Sequence, residues 1–114
     1  MQLIQPESVQ RVLQTLQDRP LYLHLEMTTG AYASHRDKSK ITASAFVSNT
    51  VIRYSHGTIA GQGPYRVGLK TPEGWVYAEG LTHWDENEPN RLIMAGHDQQ
   101  GRLIVSLQLS KEPF

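Results

Sequence analysis

The sequence predicts a mainly β fold with a single N-terminal amphipathic helix. Three observations lead there. A convincing helical periodicity occurs once, near the start of the chain. After Pro20 the apolar residues alternate with a period of two, the mark of strands with one buried face. Turn signals built from Gly, Pro, Asn and Asp then recur at short spacing and divide the remainder into six or seven strands. Such a run without β–α alternation fits an antiparallel or mixed β-sandwich or small barrel, and argues against a doubly wound parallel sheet.

The helix rests on Val9, Val12, Leu13 and Leu16, which fall at i, i+3, i+4 and i+7 and make one apolar stripe. Gln10, Arg11, Gln14 and Gln17 fill the opposite face. Pro6 suits the first turn, where no amide hydrogen is needed, and Glu7 suits the positive helix end. Asp18-Arg19-Pro20 closes the helix, because the residue before a proline avoids the helical region. Leu21, Leu23, Leu25 and Met27 then alternate with Tyr22, His24, Glu26 and Thr28 in a half-buried strand. A basic loop, Arg36-Asp37-Lys38-Ser39-Lys40, precedes a second alternating run over residues 41–47. Ser48-Asn49 reads as a tight turn into a β-branched strand over residues 50–59. Gly61-Gln62-Gly63-Pro64 breaks the chain again, with glycines expected at positive φ. Residues 65–70 and 75–81 flank Thr71-Pro72-Glu73-Gly74, a hairpin signal. After the acidic loop at residues 85–90, residues 91–97 and 102–109 flank Asp98-Gln99-Gln100-Gly101, a second hairpin.

Length and composition bound the function. The chain has 114 residues, enough for one domain over residues 1–114. Lys plus Arg and Asp plus Glu both number 11, so the net charge is zero, and a general nucleic-acid role, which needs a basic excess, is disfavoured. No cysteine is present, which excludes disulfides, thiolate metal sites and a cysteine nucleophile. The first residues lack the basic and apolar regions of a signal peptide, and the longest apolar run, Leu92-Ile93-Met94-Ala95, is far too short for a membrane span. A cytoplasmic protein without membrane association is expected.

The residues that could carry chemistry are few. Gly61-Gln62-Gly63 lacks the third glycine and the following helix of a dinucleotide loop, so no nucleotide cofactor is expected. Of the five histidines, His24 forms the nearest approach to a ligand set, because His24 and Glu26 leave the same face of one strand. His97 or His56 would have to join them in a closed barrel to build a metal-assisted hydrolase; the ordinary alternative is a satisfied polar pair, and no metal is expected. No Gly-x-Ser-x-Gly elbow occurs, Ser34-His35 shows no triad geometry, and no catalytic residue is assigned. Glu79 has natural partners in Arg66 and Lys70, which share one strand face. Tyr65, Arg66, Lys70, Tyr77 and Glu79, with His24, Glu26 and His97 nearby, form the candidate ligand-binding set. The cations suit a carboxylate or phosphate and the tyrosines a ring or sugar. The same residues would serve equally as an ordinary β core or a dimer face.

The segment Gly63-Pro64-Tyr65-Arg66-Val67-Gly68-Leu69-Lys70-Thr71, with Glu73-Gly74-Trp75-Val76-Tyr77-Ala78-Glu79-Gly80-Leu81-Thr82, resembles the YojF family of small bacillary proteins. Arg19-Pro20 with His24-Leu25-Glu26, Thr28-Thr29-Gly30 with Tyr32, Arg91-Leu92 with Met94-Ala95-Gly96-His97, and Ser106-Leu107-Gln108 agree with it. The resemblance spans nearly the whole chain. It implies a β pseudo-barrel and supplies no catalytic residues, since the family's biochemical function is unknown. Some members are encoded beside a deacetylase of the N-acetylglucosaminyl type that serves bacillithiol synthesis, which makes such an enzyme a candidate partner. The expected role is a non-enzymatic accessory protein, with a small-ligand-binding barrel as the alternative and the metal-assisted hydrolase last. A homodimer is expected, with Arg53 and Tyr54 at the contact, because two-fold pairing is the commonest way to cover an open strand edge.

Overall fold

The structure is a computed structural model that describes residues 1–29 and 43–114. The basic loop at 36–40, Ser34-His35, Tyr32 and the first residues of the run at 41–47 lie outside the described residues. The elements are β1 (Gln2–Leu3), α1 (Pro6–Leu16), β2 (Leu21–Thr29), β3 (Ala43–Ile52), β4 (His56–Ala60), β5 (Tyr65–Thr71), β6 (Gly74–Leu81), β7 (His83–Trp84), β8 (Arg91–His97) and β9 (Leu103–Ser110). Among the described residues the fold is mainly β with one helix, and every strand pairing is antiparallel. A six-stranded sheet runs β1-β7-β8-β9-β2-β3 and a three-stranded sheet β4-β5-β6. The two sheets do not close into a barrel. No helix among the described residues is long and apolar enough to cross a membrane.

The core lies between the sheets. Val67, Leu69, Ala78 and Leu81 from the small sheet meet Leu92, Met94, Leu107 and Leu109 from the large one in a single apolar cluster. The helix adds Val9, Leu13 and Leu16 to it, three of the four stripe residues, with Val12 partly buried beside them. Gln10 does not belong to the solvent face as expected. Its side-chain amide donates to the Gly57 carbonyl at 2.8 Å and accepts from the Ile59 amide at 3.0 Å. It thereby occupies the outer edge of β4 as a neighbouring strand would.

The expected strand over residues 50–59 is two elements. β3 runs unbroken through Ser48-Asn49, and the chain then breaks at residues 53–55 before β4. Asn49 does take a left-handed conformation, φ 54, but it forms a bulge: both Ser48 and Asn49 face His24, between the Leu23↔Thr50 and Leu25↔Val47 pairs. Tyr54 sits in the break and is fully buried, so it is no surface contact. Its hydroxyl donates to the Leu13 carbonyl at 2.6 Å, one of the orphan acceptors in the last turn of the helix, and its carbonyl accepts from the Asp18 amide at 2.8 Å. Burial pushes the phenol pKa upward.

Both hairpins fall where the turn residues place them. Thr71 Oγ1 donates to the Gly74 carbonyl and accepts from its amide across the first. In the second, Asp98 Oδ1 accepts from the amides of Gln100 and Arg102. The Arg102 amide, with help from its guanidinium, holds the Asp98 carboxyl below the usual range. Gly61 and Gly63 have positive φ, as expected. The chain passes between sheets at Thr82, where β6 gives way to β7. There the sheets approach so closely that a Cβ on Gly96 would collide with the Gly80 carbonyl oxygen.

Candidate functional site

The β5–β6 hairpin gathers an exposed cluster of aromatic and charged side chains. Its register pairs Lys70 with Trp75 and Gly68 with Tyr77, so these side chains leave the outer face of the small sheet. A register shift between Tyr65 and Val67 sets Arg66 opposite Glu79 and Gly80. Trp75 and Tyr77 are stacked, with ring centroids 5.4 Å apart and planes inclined by 3°. The Arg66 guanidinium lies 4.0 Å from the Tyr77 ring centroid, and its Nε is 3.3 Å from Glu79 Oε1. Both ionic partners are exposed, so the pair positions the arginine and adds little stability. The cation–π contact at an exposed site is worth about 0.5–1 kcal/mol.

Gly68 makes the arrangement sterically possible. A Cβ there would meet Tyr77 Cε1 at 2.9 Å. The tyrosine therefore lies directly on the β5 backbone, and Gly68 is buried beneath it. Beside the stack runs a groove of about 220 Å³ lined by Thr58, Ala60, Arg66, Gly68, Trp75 and Tyr77. Its lining is aromatic at Trp75 and Tyr77, small at Thr58, Ala60 and Gly68, and cationic at Arg66. Trp75 remains 53% exposed and Tyr77 45%, unusual for rings of this size.

Of the candidate ligand set, Arg66, Lys70, Tyr77 and Glu79 share this face. Tyr65 does not. It packs against the core and borders a separate hollow with Ile4, Pro64 and Thr82. His24 and Glu26 lie on the outer face of the six-stranded sheet, across the core. His24 Nε2 is 3.5 Å from Glu26 Oε2, and its ring meets Phe46 edge-on at 5.0 Å and Phe114 at 6.0 Å. Asn49 holds Phe114 there, accepting from its amide at 2.7 Å and donating to its carbonyl at 3.2 Å. His97 joins neither group. It meets His83 edge-on at 5.1 Å, and its Nδ1 is buried with no hydrogen-bond partner among the described residues. His83 is separated from Glu26 by the Ala95 and Ser106 strands, roughly 14 Å at ordinary strand spacing. His56 lies opposite Lys70 on the small sheet. Among the described residues no three His, Asp or Glu side chains converge on a metal position.

Sequence reasoning passed over two contributors. Trp75 lies outside the candidate set read from the sequence, although its place two residues before Tyr77 on one strand is the signal that finds it. Gly68 as the bed for a ring carries no such signal, since a glycine within a strand also fits a bulge.

Comparison with known proteins agrees with the fold throughout. The model of a family described as a protein of unknown function, DUF1806, matches residues 3–114. The uncharacterised protein YojF of Bacillus subtilis (strain 168) is 51% identical over 114 residues, covering 100% of this chain and 98% of that protein. The crystal structure of Bacillus subtilis YojF superposes with a TM-score of 0.82 at 48% identity, covering 99% of this chain and 95% of the other.

Proposed function

The chain belongs to the DUF1806 family, the family of YojF, and on that premise we propose that it is a non-enzymatic accessory protein of the cytoplasm that docks its target on the outer face of the small sheet. The observation that carries the reading is the half-exposed Trp75–Tyr77–Arg66 stack beside its groove. Trp, Tyr and Arg are the residues enriched among those that dominate binding energy at interfaces, and here all three already stack on one another without a partner, an arrangement that would lower the entropy lost on docking. A sugar deacetylase of the N-acetylglucosaminyl type is the partner class suggested by the family resemblance. Immobilised protein is expected to retain such a deacetylase from a Bacillus lysate, and Trp75→Ala to weaken the capture at least about tenfold. Retention that Trp75→Ala leaves unchanged, or no retention of a deacetylase by the wild type, rejects the proposal.

The groove favours a second reading, a small amino sugar or anionic sugar lying against Trp75 with its charged group at Arg66. The two tryptophans make this testable, because Trp84 is 3% exposed and Trp75 is not. A ligand on the stack quenches the solvent-exposed part of the emission and leaves the buried part. Titration with N-acetylglucosamine, glucosamine and their phosphates that changes neither emission nor melting temperature excludes that reading.

A further inference from the structure

We infer that a second copy of this chain pairs with the outer edge of β3, antiparallel, across a two-fold axis perpendicular to the six-stranded sheet. The inference is independent of the aromatic stack, which lies on the other sheet. β3 is the end strand of its sheet, ten residues long, and among the described residues only β2 pairs with it. Its sequence, ASAFVSNTVI, contains no charge, no proline and no glycine. Charges, prolines and short length are the devices by which soluble proteins protect an edge, and of the usual devices only the bulge at Ser48-Asn49 is present. Residues 44–51 are exposed throughout.

The exposed side chains are apolar on both faces. Phe46, 63% exposed, lies across from Glu26, and Val51, 56% exposed, across from Tyr22, which puts both on the outer face of the sheet. Met27, Ala45 and Val47 stand on the inner face and are also exposed. An axis perpendicular to the sheet preserves faces. The Phe46 and Val51 strip therefore meets its own image, and so does the strip of Met27, Ala45 and Val47. A partner of different sequence would need an equally uncharged edge with apolar residues on both sides; the chain itself supplies one by construction. Zero net charge adds no long-range repulsion between copies.

Area sets the strength. Ten residues at roughly 3.3 Å each and a depth of about 10 Å give on the order of 330 Å² per copy, under half of the ~800 Å² in a standard interface. The pairing is therefore a reversible one that follows concentration. Sedimentation equilibrium between about 1 µM and about 1 mM is expected to show the mass rise from 12.9 kDa toward twice that value and level off there. A mass fixed at 12.9 kDa overturns the inference, and so does growth past the doubled mass. Ala45→Lys brings like charges into the paired edge and is expected to hold the chain at 12.9 kDa; a variant that still doubles removes β3 as the contact. Should that variant fail to fold by far-UV circular dichroism, hydrogen exchange of the wild type decides. Amides of β3 that face away from β2 should slow by at least about tenfold at the high concentration, and equal rates at both concentrations overturn the pairing.

Discussion

Tyr54 links the helix to the break between β3 and β4 through one phenolic oxygen, at the bottom of the core. Tyr54→Phe keeps the ring and strands the Leu13 carbonyl, and is expected to cost about 1–3 kcal/mol in urea unfolding. The titration has a definite sign. A phenol whose folded pKa is raised stays neutral while the unfolded chain begins to ionise near pH 10, so stability is intact below about pH 10 and falls above it by about 1.4 kcal/mol per pH unit. Tyr54→Phe should lack that share of the alkaline slope, and equal slopes in the two proteins would show the phenol titrating normally. Gly96 is the second sensitive residue. Its missing Cβ is replaced in space by the Gly80 carbonyl and Val105, and backbone cannot move aside as a side chain can. Gly96→Ala should lower stability by about 3 kcal/mol or more, or leave no soluble folded protein. Neither residue announced itself in the sequence. Tyr54 follows a β-branched run, and a period of two continues on paper across a break that only the third dimension reveals.

Among the elements, the helix is the most legible and also the most misread. Its stripe of Val9, Leu13 and Leu16 follows from spacing alone, because burial on one side of a helix repeats with the helix itself. Gln10 was illegible because its partners lie 47 and 49 residues away. Gln10→Ala should destabilise by about 1–3 kcal/mol, since it frees a donor and an acceptor of β4 together, and should speed amide exchange at Ile59 more than in β8. A loss within the error of the unfolding curve would mean that water replaces the clamp without cost. Ser48-Asn49 illustrates the converse. The left-handed preference of Asn is real at this position, but the fold uses it for a bulge within one strand rather than for a turn between two. Turn residues report backbone conformation, and what the conformation is used for depends on the partner strand.

For the molecule as a whole, the hairpins were readable and the long-range strand pairings were not. Local pairings such as β5–β6 and β8–β9 are written in their turns, while the β2–β9 and β1–β7 pairings join residues more than 75 positions apart and leave no local trace. The candidate set divides along the same line. Arg66, Lys70, Tyr77 and Glu79 come together because one hairpin register carries them, whereas His24, Glu26 and His97 needed a strand order that sequence does not supply. Because α1 and both sheets share one apolar cluster, heat should unfold them together. The far-UV circular dichroism and the emission of buried Trp84 are expected to change at one temperature, and separated midpoints would show that the sheets are independently stable.

The clamp at Gln10 also bears on how many copies the proposed strand pairing would admit. A sheet protein with two open margins is bivalent and, given one copy, accepts another on each side without end. Here the margin of the small sheet at β4 is already occupied from within, β1 is two residues long, and β6 is interrupted by a bulge and bears Glu79. Only β3 remains as a long uncharged margin among the described residues. Among the described residues the proposed pairing through β3 would therefore end at two copies, with the Gln10 amide, the shortness of β1 and the bulge of β6 together closing the other routes to a filament.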